Sequence, residues 1–406
     1  MPNNATLLPT GIRTSDIVSF AYLSRTVPHS VVDEALECTN RVTYRLRDLP
    51  NDLIVYFAIM MAFYKDANMS EVLRCVLEGV DLVFGKKGPV ITSKSGISKA
   101  RARVGWEPLK VIFDGIAVPI ATPNTKGAFF HEWRVVAMDG CLINTADTKK
   151  NEDAFGRATN QNKKPAAYPQ LRMVCLAECG THVVFKLVTG GYFNGEITLA
   201  KSLINSLQPD MICLADRLFF GFELWNAACA TGASLLWRIK ANVHFEVIQV
   251  LDDDSYIALY HPSERDKENK DKPPVKVRVF DYEVADSVRK KTENFRLVTN
   301  ILDPSKAKAL ELARLYMQRW EIELIYGEVK IRLNANQVYL RSGTPELVLQ
   351  ELYGLMLAHY AIRSVMHEAA LKSKLDPDEL SFTSAIRIIR RKLLRTGDFS
   401  PSANLP

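Results

Sequence analysis

No two cysteines in this chain form a CxxC pair. The seven are scattered at Cys38, Cys75, Cys141, Cys175, Cys179, Cys213 and Cys229 without accompanying His spacing, which excludes a sequence-encoded zinc site. Cys175 and Cys179 stand four apart in an expected strand, on one side and without ligand partners. The odd count and the absence of an N-terminal signal sequence point to a reducing cytoplasm. No apolar run can span a bilayer: the longest, Leu53 to Tyr64, starts after Asp52 as a buried helix with an N-terminal acid would, and no membrane partner is expected. Internal repeats are absent, and so is a strong charge excess. A formal net charge of +6 permits a polyanionic partner without demanding one, so local clusters must carry that case. What is present is ordinary for globular proteins: 406 residues, enough for two or three domains, with 47% hydrophobic residues to fill a core.

One stretch stands out, Leu315 to Lys330, reading LYMQRWEIELIYGEVK. Tyr316, Arg319, Glu323 and Lys330 stand at steps of three, four and seven residues, which on a regular α-helix puts them on one face. Ile322, Ile325 and Val329 fall on other sides and can pack the helix down. One reading is an ordinary surface ion pair between Arg319 and Glu323, contributing roughly 0.3–0.5 kcal/mol. The other is a carboxylate flanked by cations, suited to metal and phosphate.

The rest of the chain divides by texture. Residues 1–125 read as helical: Ser15 to Arg25, residues 29–39, an apolar helix 52–65 capped by Asn51, and another opened by Ser70, before Gly85 to Pro89 breaks the pattern. From Ser93, Lys94, Lys99, Arg101 and Arg103 lie on a short helix ended by Gly105, which reads equally as a solvated basic face or a DNA contact. Strand signals start near Phe129: 133–138, a sharp bend at Asp139-Gly140, 141–144, then a loop of about 20 residues carrying Lys149, Lys150, Arg157, Lys163 and Lys164 with almost no apolar anchor. Strands 171–176 and 183–188, helix 195–207, the apolar strand 211–215, helix 221–231 and strand 234–239 follow. That order fits a ribonuclease-H-like α/β core. Residues 241–301 then interrupt the core with alternating strands divided by a charged loop at 262–274. The acidic helix is expected to begin near Ser305, and residues 341–406 are helical, with Arg387, Arg390, Arg391, Lys392 and Arg395 crowded together.

The string Tyr316-x2-Arg319-Trp320-x2-Glu323-x6-Lys330 resembles the Tyr-Arg-Glu-Lys signature of the cut-and-paste insertion-sequence transposases of the DDE (Asp-Asp-Glu) class. It fixes five residue types over fifteen positions. The segment 93–105, the string Ala154-Phe155 through Tyr168-Pro169-Gln170 and the run from Leu340 to Val348 are also similar to that group, and the likeness spans roughly residues 30 to 395. It implies a helical N-terminal DNA-binding domain at 1–125, a catalytic ribonuclease-H-like domain at 126–340 with its β-rich insertion, and a C-terminal helical region. It also implies a catalytic triad of Asp139, Asp216 and Glu323, with Asp139 77 residues before Asp216 and Asp216 107 before Glu323. Three close carboxylates repel one another and need a cation; two Mg²⁺ ions, with Mn²⁺ as substitute, suit oxygen ligands and an in-line displacement at phosphorus. Carried over by position, Tyr316, Arg319 and Lys330 contact terminal phosphates, while Trp320 reads as core or as a base-stacking residue. Lys99, Arg101 and Arg103 are expected DNA contacts. The implied reaction nicks a strand, forms and opens a hairpin, and joins the element to target DNA, with a homodimer acting on terminal inverted repeats in a bacterial, nucleoid-associated setting. A catalytically inactive DNA-binding derivative is the alternative. Two departures stand out: Leu218 occupies the position where the group has Gly after the second acid, and the chain stops at Pro406 without a longer basic tail.

Overall fold

A computed structural model describes residues 23–45, 47–84, 93–159, 164–262, 269–286, 291–334 and 338–391. The sequence expectations at Ser15 to Tyr22, Gly85 to Pro89, Lys163, residues 263–268 of the charged loop, Lys392 and Arg395 lie outside them, as do the side chains of Arg390 and Arg391.

After a helical turn at residues 23–26 come α1 (His29–Cys38), α2 (Asn51–Phe63), α3 (Met69–Phe84), α4 (Lys94–Val104) and α5 (Glu107–Ile116) among the described residues. In α2 twelve residues of NDLIVYFAIMMAF are buried, so the helix has no solvent face and other helices must surround it. Asn51 is its first helical residue rather than its cap, because Pro50 takes the extended cap position and the Asn51 amide turns to other partners. Its Nδ2 donates to the Arg41 carbonyl and its Oδ1 accepts from Arg103 Nε at 2.8 Å. The main partner of α2 comes from the far end of the chain, the 29-residue α11 (Pro345–Ser373). At their crossing a Cβ on Gly354 would lie 2.5 Å from the Ala58 carbonyl oxygen, so only glycine lets the backbones meet.

The strands are β1 (Phe129–Phe130), β2 (Trp133–Asn144), β3 (Gln170–Glu178), β4 (Val183–Gly191), β5 (Met211–Ala215), β6 (Ser234–Ile239), β7 (Glu246–Val250), β8 (Tyr256–Tyr260), β9 (Val275–Asp286) and β10 (Lys291–Thr299). They form one sheet in the order β4-β3-β2-β5-β6-β10-β9-β8-β7, with β1 pairing β2 off that path. β2, β5 and β6 run parallel, and the antiparallel hairpins β2-β3-β4 flank them, the ribonuclease-H-like arrangement expected from the element order. Five fully buried residues in β5, MICLA, fit a strand covered on both faces. The expected β-rich insertion follows β6, and it also extends the core sheet: β10 pairs antiparallel with β6 from Ile239↔Arg296 to Leu236↔Thr299. An apolar edge at β6 is thereby paired and protected.

The remaining helices are α6 (Lys149–Phe155), α7 (Glu196–Leu203), α8 (Phe222–Ala230), α9 (Ala309–Tyr316), α10 (Glu321–Gly327) and, following α11, α12 (Phe382–Arg391). α6 falls inside the expected long loop. Thr148 caps it by accepting from the Asn151 amide at 3.3 Å, and buried Phe155 and Asn151 anchor it. Among the described residues no helix is long and apolar enough to cross a membrane.

Candidate active site

β2 passes through Asp139-Gly140 as uninterrupted strand, not as the expected bend. Pairing with β3 carries the strand through, with Asp139 opposite Cys175 and Gly140 opposite Val174, and a Cβ at Gly140 would lie 2.7 Å from the Glu196 carboxyl carbon. Glu196 in turn pairs with Arg172. Parallel pairing of β2 with β5 sets Met138 opposite Ala215, so the next residues, Asp139 and Asp216, leave adjacent strands side by side. The turn after Asp216 closes with the Phe219 amide donating to the Asp216 carbonyl at 3.0 Å, and Leu218 sits exposed in it with ordinary negative φ. Glycine is not required at that position.

The third acid arrives from a segment that is not one helix. α9 begins at Ala309, four residues after the expected start, with the Glu311 carboxylate accepting from the Lys308 amide at 3.0 Å. It gives way to a 3₁₀ turn at Met317–Trp320, then α10, then a π-helical turn at Glu328–Leu333. Overwinding followed by underwinding breaks the single stripe that regular α spacing implies. Glu323 stays with Arg319, whose Nη2 donates to Glu323 Oε1 at 3.3 Å, while Nη1 lies 3.6 Å from Asp139 Oδ2. Arg319 thus contacts two of the three acids; burial alone would lower its pKa, and Tyr316, Asp139, Asp216 and Glu323 raise it instead. Asp139 is the most desolvated acid. Burial pushes its carboxyl up to about 6, against the Gly140 amide, which donates to Oδ1 at 2.8 Å, and against Arg319.

Two tyrosines hold the strand ends. The Tyr316 hydroxyl, which the sequence assigned to phosphate, is buried and donates to the Ala215 carbonyl at 3.2 Å, just before Asp216. Tyr326, invisible in the signature, donates to the Asp139 carbonyl at 2.7 Å. Lys330 is half-buried in the π turn, its Nζ 5.7 Å from the Tyr326 ring centroid. Trp320 is 44% exposed, which removes the core reading, and its ring lies 4.7 Å from the Arg319 guanidinium carbon. Of the basic helix, Lys99 is exposed and Arg103 is half-buried with Nε on Asn51. Arg101 is a correction. It is buried and donates to Gln350 Oε1 at 2.8 Å, Ser342 Oγ at 3.1 Å and the Leu347 carbonyl at 3.4 Å, so it joins α4 to α11 and faces no DNA.

A second polar cluster lies on the other side of α10. His182 Nε2 stands 3.0 Å from Asp378 Oδ1 and 3.7 Å from Glu321 Oε2, off the hydrogen-bonding direction to either. Burial opposes the imidazolium, but Asp378 and Glu328 outweigh it and raise the His182 pKa, so the ring's own charge answers these acids. Burial and Asp378 push Glu321 up to about 7. Contiguous sequence gives no sign of this group, since its members come from three distant segments.

The description "Transposase DDE domain" matches residues 131–360, more than half of the chain. The chain belongs to the DDE transposase family. Residues 17–114 match the family described as "Insertion element 4 transposase N-terminal". The chain is 29% identical over 378 residues to the transposase InsG for insertion sequence element IS4 of Escherichia coli K12, covering 91% of this chain and 82% of that protein. It is 26% identical over 226 residues to a protein of the same organism named "Putative transposase InsZ", covering 55% of this chain and 73% of that one. This DDE transposase is therefore an enzyme acting on DNA, and its family implies dependence on a divalent metal. Asp139 and Glu323 offer hard oxygen atoms beside one guanidinium, while among the described residues the ligand atoms of His182, Glu321 and Asp378 are the group that lies within 4.8 Å of one another.

Proposed function

We propose that this DDE transposase moves its element by cut-and-paste transposition through a hairpin intermediate, using Asp139, Asp216 and Glu323 as its metal-holding triad. The observation that carries the reading is the meeting of Asp139 from β2 and Glu323 from α10 on Arg319, with Asp216 directly after β5, the strand paired beside β2. When bound there, a pair of Mg²⁺ ions, replaceable by Mn²⁺, supplies activation of the attacking oxygen and neutralisation of the leaving one. The protein's own groups do the placing. Tyr316 fixes the carbonyl before Asp216 and Tyr326 that of Asp139, and Arg319 holds Asp139 and Glu323 near each other. Arg319 and Lys330 would supply positive charge for a phosphate, and Trp320 an exposed ring for a base.

The substrate in this reading is double-stranded DNA, first the terminal inverted repeats and then the target, bound by a homodimer so that two ends are processed together. The described helices α1 to α5 and α11 serve together in ordering DNA, since α2 has α11 as its core partner. Seven free thiols suit a reducing bacterial cytoplasm beside the nucleoid. The test is cleavage of a duplex carrying the element's own ends. Glu323→Gln removes a charge at the metals and little volume, so binding is retained while metal-dependent nicking falls at least about a hundredfold. A variant that still nicks sinks the triad.

A further inference from the structure

The polar cluster on the other side of α10 is assembled from three turns of the chain. The turn between β3 and β4 runs through Gly180, Thr181 and His182, with Gly180 at φ 77° and His182 at φ 60°. A Cβ at Gly180 would lie 2.8 Å from the Ala128 amide nitrogen, and a histidine in the left-handed region is uncommon, so the surroundings hold this turn. Glu321 opens α10, and Asp378 lies in the 3₁₀ turn Pro377–Glu379 between α11 and α12. Asp376 caps that turn by accepting from the Asp378 amide at 3.1 Å.

Three side chains meet there. One ligand atom from each of His182, Glu321 and Asp378 lies within 4.8 Å of the other two. His182 is 3% exposed, and its Nε2 is buried without a hydrogen-bond partner, although it stands 3.0 Å from Asp378 Oδ1 and 3.7 Å from Glu321 Oε2. Ligands about 2.1 Å from a tetrahedral ion lie about 3.4 Å apart, and those two separations bracket that figure. Glu321 Oε2 spends one lone pair on the Gly180 amide, which donates at 2.6 Å, and keeps a second. The Asp378 side chain is 39% exposed, so an ion can enter from solvent and water can complete its coordination. Behind the ring, Nδ1 stands 3.6 Å from Glu328 Oε1 and beside Arg363 Nη2, which also donates to Glu328 Oε1. A metal on Nε2 puts the ring proton on Nδ1, where Glu328 is its acceptor and Arg363 turns to Glu328 alone.

We infer that His182, Glu321 and Asp378 form a binding site for a structural divalent ion of the zinc class, separate from the metals of the triad. Donor chemistry distinguishes the two sites. An imidazole nitrogen with two carboxylate oxygens suits Zn²⁺, whereas carboxylates alone suit Mg²⁺. Two acids and a neutral ring balance one dication, which takes the place of the ring proton that otherwise answers them. Bound there, the ion ties the β3–β4 turn, the first residue of α10 and the turn after α11 together. Glu321 and Glu323 are two residues apart on a helix and so face nearly opposite ways, and the ion fixes from behind the helix that carries Glu323.

The experiment is equilibrium dialysis of full-length, metal-stripped protein against Zn²⁺ with excess Mg²⁺, followed by thermal denaturation of the loaded and stripped forms. Wild type is expected to retain a Zn²⁺ ion that Mg²⁺ does not displace, and to melt higher with it than without. Asp378→Asn changes a partly exposed side chain and is expected to weaken Zn²⁺ binding at least about a hundredfold, more than the loss of a residue behind a ligand usually costs. It should also lose the rise in melting temperature. His182→Asn, whose side chain tolerates the left-handed backbone, is expected to do the same. If His182→Asn misfolds, Asp378→Asn decides alone. Asp139→Asn should keep this Zn²⁺, since the triad is another site. A wild type that retains no Zn²⁺ against Mg²⁺, loss of the ion in Asp139→Asn, or wild-type Zn²⁺ affinity in Asp378→Asn overturns the site, and each leaves the transposase reading in place.

Discussion

Arg101 and Arg319 are both buried arginines drawn from basic or signature segments, and they do opposite work. Arg101 has protein acceptors on Gln350, Ser342 and Leu347, and burial lowers its pKa. Arg319 faces Asp139 and Glu323 at 3.6 and 3.3 Å, keeps an unpaired Nε, and has its pKa raised by acids. The difference teaches that burial does not separate structural from functional cations here. What separates them is whether the partners are neutral acceptors that saturate the guanidinium or carboxylates that a stronger cation can claim.

The sharpest way to break that comparison is to delete each guanidinium. Arg101→Met is expected to lower stability by about 3 kcal/mol, because Gln350 and Ser342 lose their partner in the interior, and divalent metal should not restore it. Arg319→Met is expected to cost only about 1 kcal/mol at neutral pH, a loss removed by added Mg²⁺ or Mn²⁺, whose charge takes over among the acids. Thermal denaturation with and without metal reads both. Equal responses to metal would erase the distinction.

The two sides of α10 allow a smaller test. Glu321, 14% exposed at its side chain, has its pKa raised to about 7 by burial and Asp378, so the folded state favours its neutral form. The associated stability is fully present below the ordinary carboxyl range and is lost as pH rises through about 7. Glu321→Gln retains an acceptor for the Gly180 amide, which donates at 2.6 Å, and removes the titration. At pH 8 the variant should exceed wild type by about 2 kcal/mol, and at pH 5 the two should nearly coincide. Denaturant melts at the two pH values decide it; a variant less stable than wild type at pH 8 refutes the assignment. An effect as small as that of Arg319→Met is expected at Tyr316→Phe, where losing the bond to the Ala215 carbonyl should cost about 1 kcal/mol. Nicking should fall further than stability, because that carbonyl precedes Asp216. A loss confined to stability would make Tyr316 purely structural.

Much of the site was legible because its members are tied to local signals. Asp139 and Asp216 follow apolar runs that read as strands, and Glu323 falls within a signature of fixed spacing. The errors came where distant segments set the conformation. Asp139-Gly140 resembles a turn by composition, yet the strand continues because β3 pairs with it on both sides of the glycine, from Val136↔Glu178 to Asn144↔Gln170. Residues 145–165 lack a long apolar pattern, yet Thr148 and Phe155 suffice for α6 once Asn151 can donate to the carbonyls of Ala146 and Ser342. The even stripe from Tyr316 to Lys330 assumed one helical period, whereas packing imposed 3₁₀ and π turns on either side of α10.

The class of chemistry and the order of the elements could be read along the chain, since apolar periodicity, caps and the spacing of three acids are properties of nearby residues. Which cations are free was settled by packing. Arg101 and Arg103 share one basic helix with Lys99, but α11 and Asn51 claim the first two and leave the third to solvent. Packing also settled that the strands after β6 extend the catalytic sheet and border a groove beside Asp216. Charge is written in the chain; whether a charge has a partner depends on contacts between residues tens to hundreds of positions apart, and no local pattern records them.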